Sequence, residues 1–394
     1  MASEQVQDLI GEDWETVWGP VVYSHDKNSS IARADNTMGV YYSKEKNLFV
    51  VAVAGTNAIS SFGWMKEDFD VNNKVEWQSI TGHGKGSISR GTATGLDILT
   101  KEMKDKGNDF FTAITTYMND QDIDTSEIAV TGHSLGGALS TALALYVSNK
   151  KEELNSTKSI KVSAYPVASP TIGEHTFIEY YQDQIKEGNI EYNAFKNSLD
   201  IVPMAWDKKD LASIPNFYIN EDEKYNIEDD SLGTAALVAV LNTVNSTNNS
   251  QVIYKHIEPI TTLSGSFNDC VDGKINKAFK TIKDWKFLLI PDSLQKNIAN
   301  LQSIARFFTQ AAYQHTHAYN KLLDIEPFME MYTIIRKGGL ETYTALHTIE
   351  TLMDTQEATY HIASEAAGFD IGSLLQLSEL NEEELKKLEE HSEE

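Results

Sequence analysis

Cys270 is the single cysteine among 394 residues, which excludes an intramolecular disulfide and every cysteine-built metal cluster. Proline is almost as scarce: eight in the whole chain leave few loops with a preset φ. The basic residues are nearly all lysine, so forked guanidinium clamps for carboxylates or phosphates are few. Positive charge is short altogether. Against 58 acidic side chains stand 33 basic ones, a net charge of -25 that repels nucleic-acid backbones and anionic lipid, so no nucleic-acid partner is expected. Long apolar runs are missing too. The most apolar window, Thr234 to Val244, covers about half a bilayer, so no transmembrane segment is expected. The start, MASEQVQDLIGEDWETVWGP, lacks the basic and apolar stretches of a secretory signal. The expectation is a cytoplasmic chain, or a secreted one whose signal is absent from this sequence.

What the sequence does contain is ordinary globular material, 41% hydrophobic and 23% charged. Apolar β-branched runs predict strands at Met38 to Ser43, Leu48 to Ala54, Glu127 to Thr131, Ile160 to Tyr165 and Glu191 to Lys196. Helix-period stretches lie between and around them, at Thr92 to Lys104, Asp109 to Met118, Gly136 to Asn149 and Glu174 to Lys186. This alternation predicts an α/β fold with a mostly parallel central sheet flanked by helices. LFVVAVA at Leu48 to Ala54 is apolar almost throughout, as a strand buried on both faces should be. After Val202 the rhythm breaks. The acidic, then apolar, then Asn/Ser-rich stretch within about 205–260 reads as an insertion after the last strand, and residues 328–394 read as a helical C-terminal extension.

Chemistry is concentrated in EIAVTGHSLGGALSTALALYV. A predicted strand runs into a predicted helix across Gly132-His133-Ser134-Leu135-Gly136. A bare Gly-x-Ser-x-Gly is a weak signal, but a strand before it and an Ala-rich helix after it specify a nucleophile elbow. There a serine hydroxyl is held on a strained turn, and glycines let the two backbones meet. A serine hydroxyl needs a base, and the base needs a carboxylate to hold its tautomer and stabilise imidazolium.

VTGHSLGGALS resembles the nucleophile region of the lipase class 3 family of α/β-hydrolases. VVAVAGTNAISSFGWMKEDFDV resembles that family's oxyanion strand and following loop, ISRGTATGLDIL its segment after the lid, and NSLDIVPMAW the region of its acid. The family-like part covers about residues 38–325, and the resemblance implies one α/β-hydrolase domain over 1–327. In such folds the order is serine, acid, histidine. Asp200 follows the predicted strand IEYNAFKN, which sets it on the same rim as Ser134, and Asp200 to Pro203 match the family's D-x-V-P pattern. Asp207 and Asp210 lie past the proline and read as solvated loop charges. Six histidines follow Asp200. The family's late histidine precedes a tyrosine, which favours His315 in AAYQHTHAYNKLL and leaves His317 as the alternative. Two histidines two residues apart do not share a helix face, and no carboxylate or cysteine cluster accompanies them, so no metal is expected. His133 resembles a supporting residue that packs and makes a structural hydrogen bond.

The oxyanion needs two aimed donors: the elbow supplies the N–H of Leu135, and the resemblance adds the backbone N–H and hydroxyl of Thr56. Ile59, Phe62, Trp64, Met65 and Phe69 read as a lid or acyl-chain wall, with Thr234 to Val244 a second lid candidate. GHGKGS at Gly82 to Ser87 lacks the spacing of a phosphate-binding loop. The resemblance therefore implies a lipase cleaving acylglycerol-type esters by a Ser-His-Asp acyl-enzyme route, without cofactor, and meeting its lipid ester substrate at a transient lipid-water interface. Phospholipase A1 and short-chain esterase stay open within that class, and a lipase-like interaction scaffold is the non-enzyme alternative.

Overall fold

The computed structural model describes residues 13–23, 36–55, 71–154, 159–214, 218, 254–267, 310–311 and 313–325. In chain order the elements are β1 (Trp14–Tyr23), β2 (Asn36–Ser43), β3 (Leu48–Val53), β4 (Lys74–Glu76), α1 (Trp77–Thr81), β5 (Ser87–Ser89) and α2 (Arg90–Asp97), which runs on as a π turn over Ile98–Glu102. Next come α3 (Phe110–Asp120), β6 (Thr125–His133), α4 (Leu135–Leu154), β7 (Ser159–Val167), β8 (Gly173–Glu174) and α5 (His175–Lys186). The remainder are β9 (Glu191–Tyr192), β10 (Ala194–Asn197), a 3-10 turn (Val202–Met204), α6 (Lys208–Ser213), β11 (Tyr254–Lys255), β12 (Ile260–Leu263) and α7 (His317–Leu322).

The central sheet has the order β1-β2-β3-β6-β7-β10-β12, with β9 also pairing β7. From β3 onward every pairing in it is parallel, while β1-β2 and β2-β3 are antiparallel. The parallel part is what the alternating pattern predicts. The strand β3 differs from its expectation: Phe49, Val51 and Val53 are buried, whereas Leu48, Val50 and Ala52 are only half-buried. One face of this strand is thus fully packed and the other partly covered. Helix α4 explains why GALSTALALYV is apolar on nearly every side: Ala138, Leu139, Ala142, Leu143 and Val147 are all buried, and the helix lies against β3, β6, β7 and α2 together. A helix covered all round shows little amphipathicity.

Two features have no counterpart in the predicted elements. Strand β1 adds an antiparallel edge, where Trp18 is buried against Phe110 and donates its indole N–H to the carbonyl of Asn108 at 2.9 Å. Pro20 sits in this strand, at the sheet edge where a missing N–H is tolerated, and the register slips on either side of Trp18. The second feature is a small antiparallel sheet, β11-β8-β5-β4. Its strands have two or three residues each, too short for periodicity to reveal. At the end of the stretch read as an insertion the chain returns to the central sheet, where β12 pairs in parallel with β10. Within the described residues no helix is long and apolar enough to cross a membrane. The segment 220–250 and all of 328–394 lie outside them.

Candidate active site

Ser134 stands between β6 and α4 at φ +61°, in the left-handed region that a side chain rarely adopts. Its N–H donates to the carbonyl of Val167 at 3.0 Å and its carbonyl accepts from the N–H of Ala138 at 3.1 Å, so the neighbouring strand and the new helix hold the turn from both sides. Glycine is required around it. A β-carbon on Gly132 would lie 2.3 Å from the Gly136 carbonyl oxygen, and one on Gly136 would lie 2.4 Å from that of Val53. The side chain of Ser134 is nearly closed off, with the residue 4% exposed.

The structure brings Ser134, His315 and Asp200 together and leaves the rival residues elsewhere. Nε2 of His315 lies 2.8 Å from Ser134 Oγ, and its Nδ1 lies 2.9 Å from Asp200 Oδ2. A carboxylate only accepts, so the proton sits on Nδ1 and the Nε2 lone pair faces the serine hydroxyl. Asp200 is 2% exposed and His315 1%, in an environment that strengthens each hydrogen bond. His317, two residues on, accepts from or donates to Thr316 Oγ1 at 3.0 Å and stacks on Tyr313, outside this cluster. His256 faces Asp210 at 3.3 Å. Asp207, half-exposed, accepts the N–H groups of Lys209 and Asp210 at the start of α6.

Around Asp200 lies a network that motif reading passed over. Tyr319 donates its hydroxyl to Asp200 Oδ2 at 2.9 Å, and that hydroxyl accepts the N–H of Asn197 at 2.8 Å. The other carboxylate oxygen accepts the N–H of Val202 at 3.0 Å. Asn197 ties the acid-bearing turn to the histidine segment, donating from Nδ2 to the carbonyl and Oε1 of Gln314 at 2.9 and 2.8 Å. Gln314 in turn donates to the carbonyl of Ser266 at 2.7 Å. Tyr319 entered the sequence argument only as a spacing marker. A buried asparagine three residues before the acid is the signal that could have been used. Burial first, then the charge of Asp200, raises the pKa of the Tyr319 phenol above its ordinary value, so it stays a donor.

His133 closes the cluster. Its ring lies 4.7 Å from that of His315 and 5.3 Å from that of Tyr319. Its Nε2 is buried with no partner, while the ring makes a hydrogen bond to the backbone of His315, the structural bond expected of it. Burial foremost, and then the nearby His315, holds the pKa of the His133 imidazole down to about 4. The folded pKa lies below the unfolded value, so between about 6.5 and about 4 the unfolded chain binds a proton that the folded one refuses. The stability this contributes is fully present above about pH 6.5 and is lost as pH falls towards about 4. His133→Phe should therefore flatten the loss of melting temperature across that window. Wild type and variant falling in parallel would refute the assignment.

Leu135 opens α4, so its N–H has no acceptor earlier in the helix and is free to serve an anion above Ser134. Gly55, at the end of β3, abuts the elbow: a β-carbon there would lie 3.4 Å from Ser134 Cβ. Thr56 follows it in sequence and lies outside the described residues, as do Ile59, Phe62, Trp64, Met65 and Phe69 and the second lid candidate Thr234 to Val244. No group of three or more potential metal ligands occurs among the described residues.

The model of the family described as lipase (class 3) matches residues 50–208, a span that contains Ser134 and Asp200. Over that span the chain resembles the lipase class 3 family. A lipase of Rhizomucor miehei is 25% identical over 214 residues, 54% of this chain and 48% of the relative, so the chain spans about half the length of that curated protein. The crystal structure of M37 lipase superposes with a TM-score of 0.57 at 28% identity, covering 80% of this chain and 82% of that one. The likeness to M37 lipase supports an α/β-hydrolase fold and extends well beyond the segment that the family model matches.

Proposed function

We propose that this class 3 lipase relative hydrolyses carboxylic esters of acylglycerol type through Ser134, His315 and Asp200. The observation that carries the proposal is the continuous hydrogen-bonded chain from Ser134 Oγ through both nitrogens of His315 to Asp200 Oδ2, at 2.8 and 2.9 Å. His315 takes the hydroxyl proton as Ser134 Oγ attacks the acyl carbonyl, and Asp200 steadies the imidazolium that results. The N–H of Leu135, together with Thr56, receives the negative charge on the carbonyl oxygen. His315 then returns its proton to the departing alcohol, leaving an acyl group on Ser134. Water, deprotonated by the same nitrogen, attacks that acyl group; the bond to Ser134 Oγ breaks, the acid leaves, and His315 returns the proton to Oγ. All covalent steps use protons already present in the triad and water, so the route needs no cofactor.

The substrate class is tested with p-nitrophenyl esters from acetate to palmitate, a triolein emulsion and phosphatidylcholine, together with mass analysis after a fluorophosphonate. The expected result is ester turnover, with triolein preferred over phosphatidylcholine, and one phosphonyl group on Ser134. An optimum at acetate would make it a short-chain esterase. Fatty acid released mainly from phosphatidylcholine would make it a phospholipase. A wild-type chain inert towards every ester and towards the phosphonate would favour the interaction scaffold.

A further inference from the structure

The side chain next to the reacting atoms that this chemistry leaves without a task is the half-buried His133. It is the last residue of β6, adjacent to Ser134, so the backbone that positions the nucleophile also presents a ring to the base. That ring meets His315 at 4.7 Å with planes 41° apart, an offset arrangement, and meets Tyr319 edge-on at 5.3 Å and 78°. Both partners contact Asp200. One aromatic side chain thus bears on the base and on the tyrosine that holds the acid. The ring hydrogen-bonds the backbone of His315, which ties it to the base, while its Nε2 is buried without a partner, so that nitrogen adds nothing and the ring face remains to be accounted for. The face of the ring does something an unpaired nitrogen cannot: in a dry site it attracts a neighbouring cation and excludes water from one side of it.

We propose that His133 is a positioning residue, whose ring face holds His315 in contact with both Ser134 and Asp200 and supports the imidazolium formed during acyl transfer. The proposal rests on the ester-hydrolase reading above. The titratable groups facing the ring are His315, Asp200 and Tyr319, and burial keeps the ring itself neutral, so it adds no charge opposed to the imidazolium.

The test compares His133→Phe, which keeps an aromatic face, with His133→Leu, which fills space without one. Three readouts are taken on the full chain: kcat and KM on the preferred ester, the rate of phosphonylation of Ser134, and the low-field proton resonance of the His315 Nδ1–H. His133→Phe is expected within about threefold of wild type, and His133→Leu about tenfold lower in kcat and in phosphonylation at unchanged KM. The low-field resonance should persist in the first and broaden by exchange in the second. His133→Leu equal to wild type would reduce His133 to packing, and His133→Phe as impaired as His133→Leu would transfer the role to a ring nitrogen; either overturns the proposal. If His133→Leu does not fold, His133→Met makes the same comparison. A wild-type chain inert to ester and phosphonate defeats the ester-hydrolase reading instead, and the resonance then decides the positioning role by itself.

Discussion

Alanine at Ser134 and alanine at His315 are each expected to lower kcat by about 10⁶, and the double variant should lose no more than either single one. The non-additivity follows from the geometry. Nε2 of His315 and Oγ of Ser134 share one hydrogen bond of 2.8 Å, so removing either end abolishes the same proton transfer. What survives is catalysis by the remaining oxyanion donors and by binding. Asp200→Asn should be less damaging, about 10⁴, because the side chain still fits between Tyr319 and Val202. Its amide, however, can turn N–H groups towards His315 Nδ1 and favour the wrong tautomer, with the proton on Nε2 facing Ser134. Burst-phase kinetics on a p-nitrophenyl ester separate these cases, since a wrong tautomer slows acylation itself. Losses that multiply in the double variant, or an Asp200→Asn enzyme within tenfold of wild type, would refute a three-residue relay.

Gly132→Ala is expected to destabilise the fold by about 3 kcal/mol or more, although it adds only one methyl group. The new carbon would lie 2.3 and 2.4 Å from the carbonyl oxygen and carbon of Gly136, and 2.6 Å from the oxygen of Val53. All three are backbone atoms, two of them at the start of a helix buried against the sheet, so no side-chain rotation relieves the contact. The elbow would have to open, and with it the φ of +61° at Ser134. Urea denaturation followed by circular dichroism should show a lower midpoint at unchanged slope. An alanine variant with the wild-type midpoint would mean that the strand and helix can separate without loss.

Much of this molecule can be read from residues, and the parts that resist have physical reasons. Ser134 was legible because an elbow needs glycines at fixed offsets and a strand and helix on either side, all local in sequence. The parallel strands β3, β6 and β7 were legible because burial makes them apolar runs. Asp200 followed from its place after a strand. His315 was different: spacing to Tyr319 separated it from His317 only through a family resemblance, because nothing local says which ring turns inward. Asn197 offered a local signal three residues before the acid, but its partner Gln314, 117 residues away, could not be read from it. Strand β1 escaped because a Gly-Pro step and two register slips break its alternation. The two-residue strands of the small sheet carry no period at all.

The histidine that joins this cluster is contributed late in the chain. It meets the acid across 115 residues and the nucleophile across 181. During synthesis the elbow helix and its flanking strands are complete well before that ring exists. At about 5–20 residues per second, roughly 10–40 seconds separate emergence of Ser134 from that of His315. A ribosome-bound chain in that interval carries Ser134 without His315, and is expected to be unreactive towards esters while it folds. In refolding from denaturant, closure of so long a loop adds entropy cost that local pairing does not meet. Sheet signal should return first and reactivity at the serine last, so the reactivity reports completion of the whole fold.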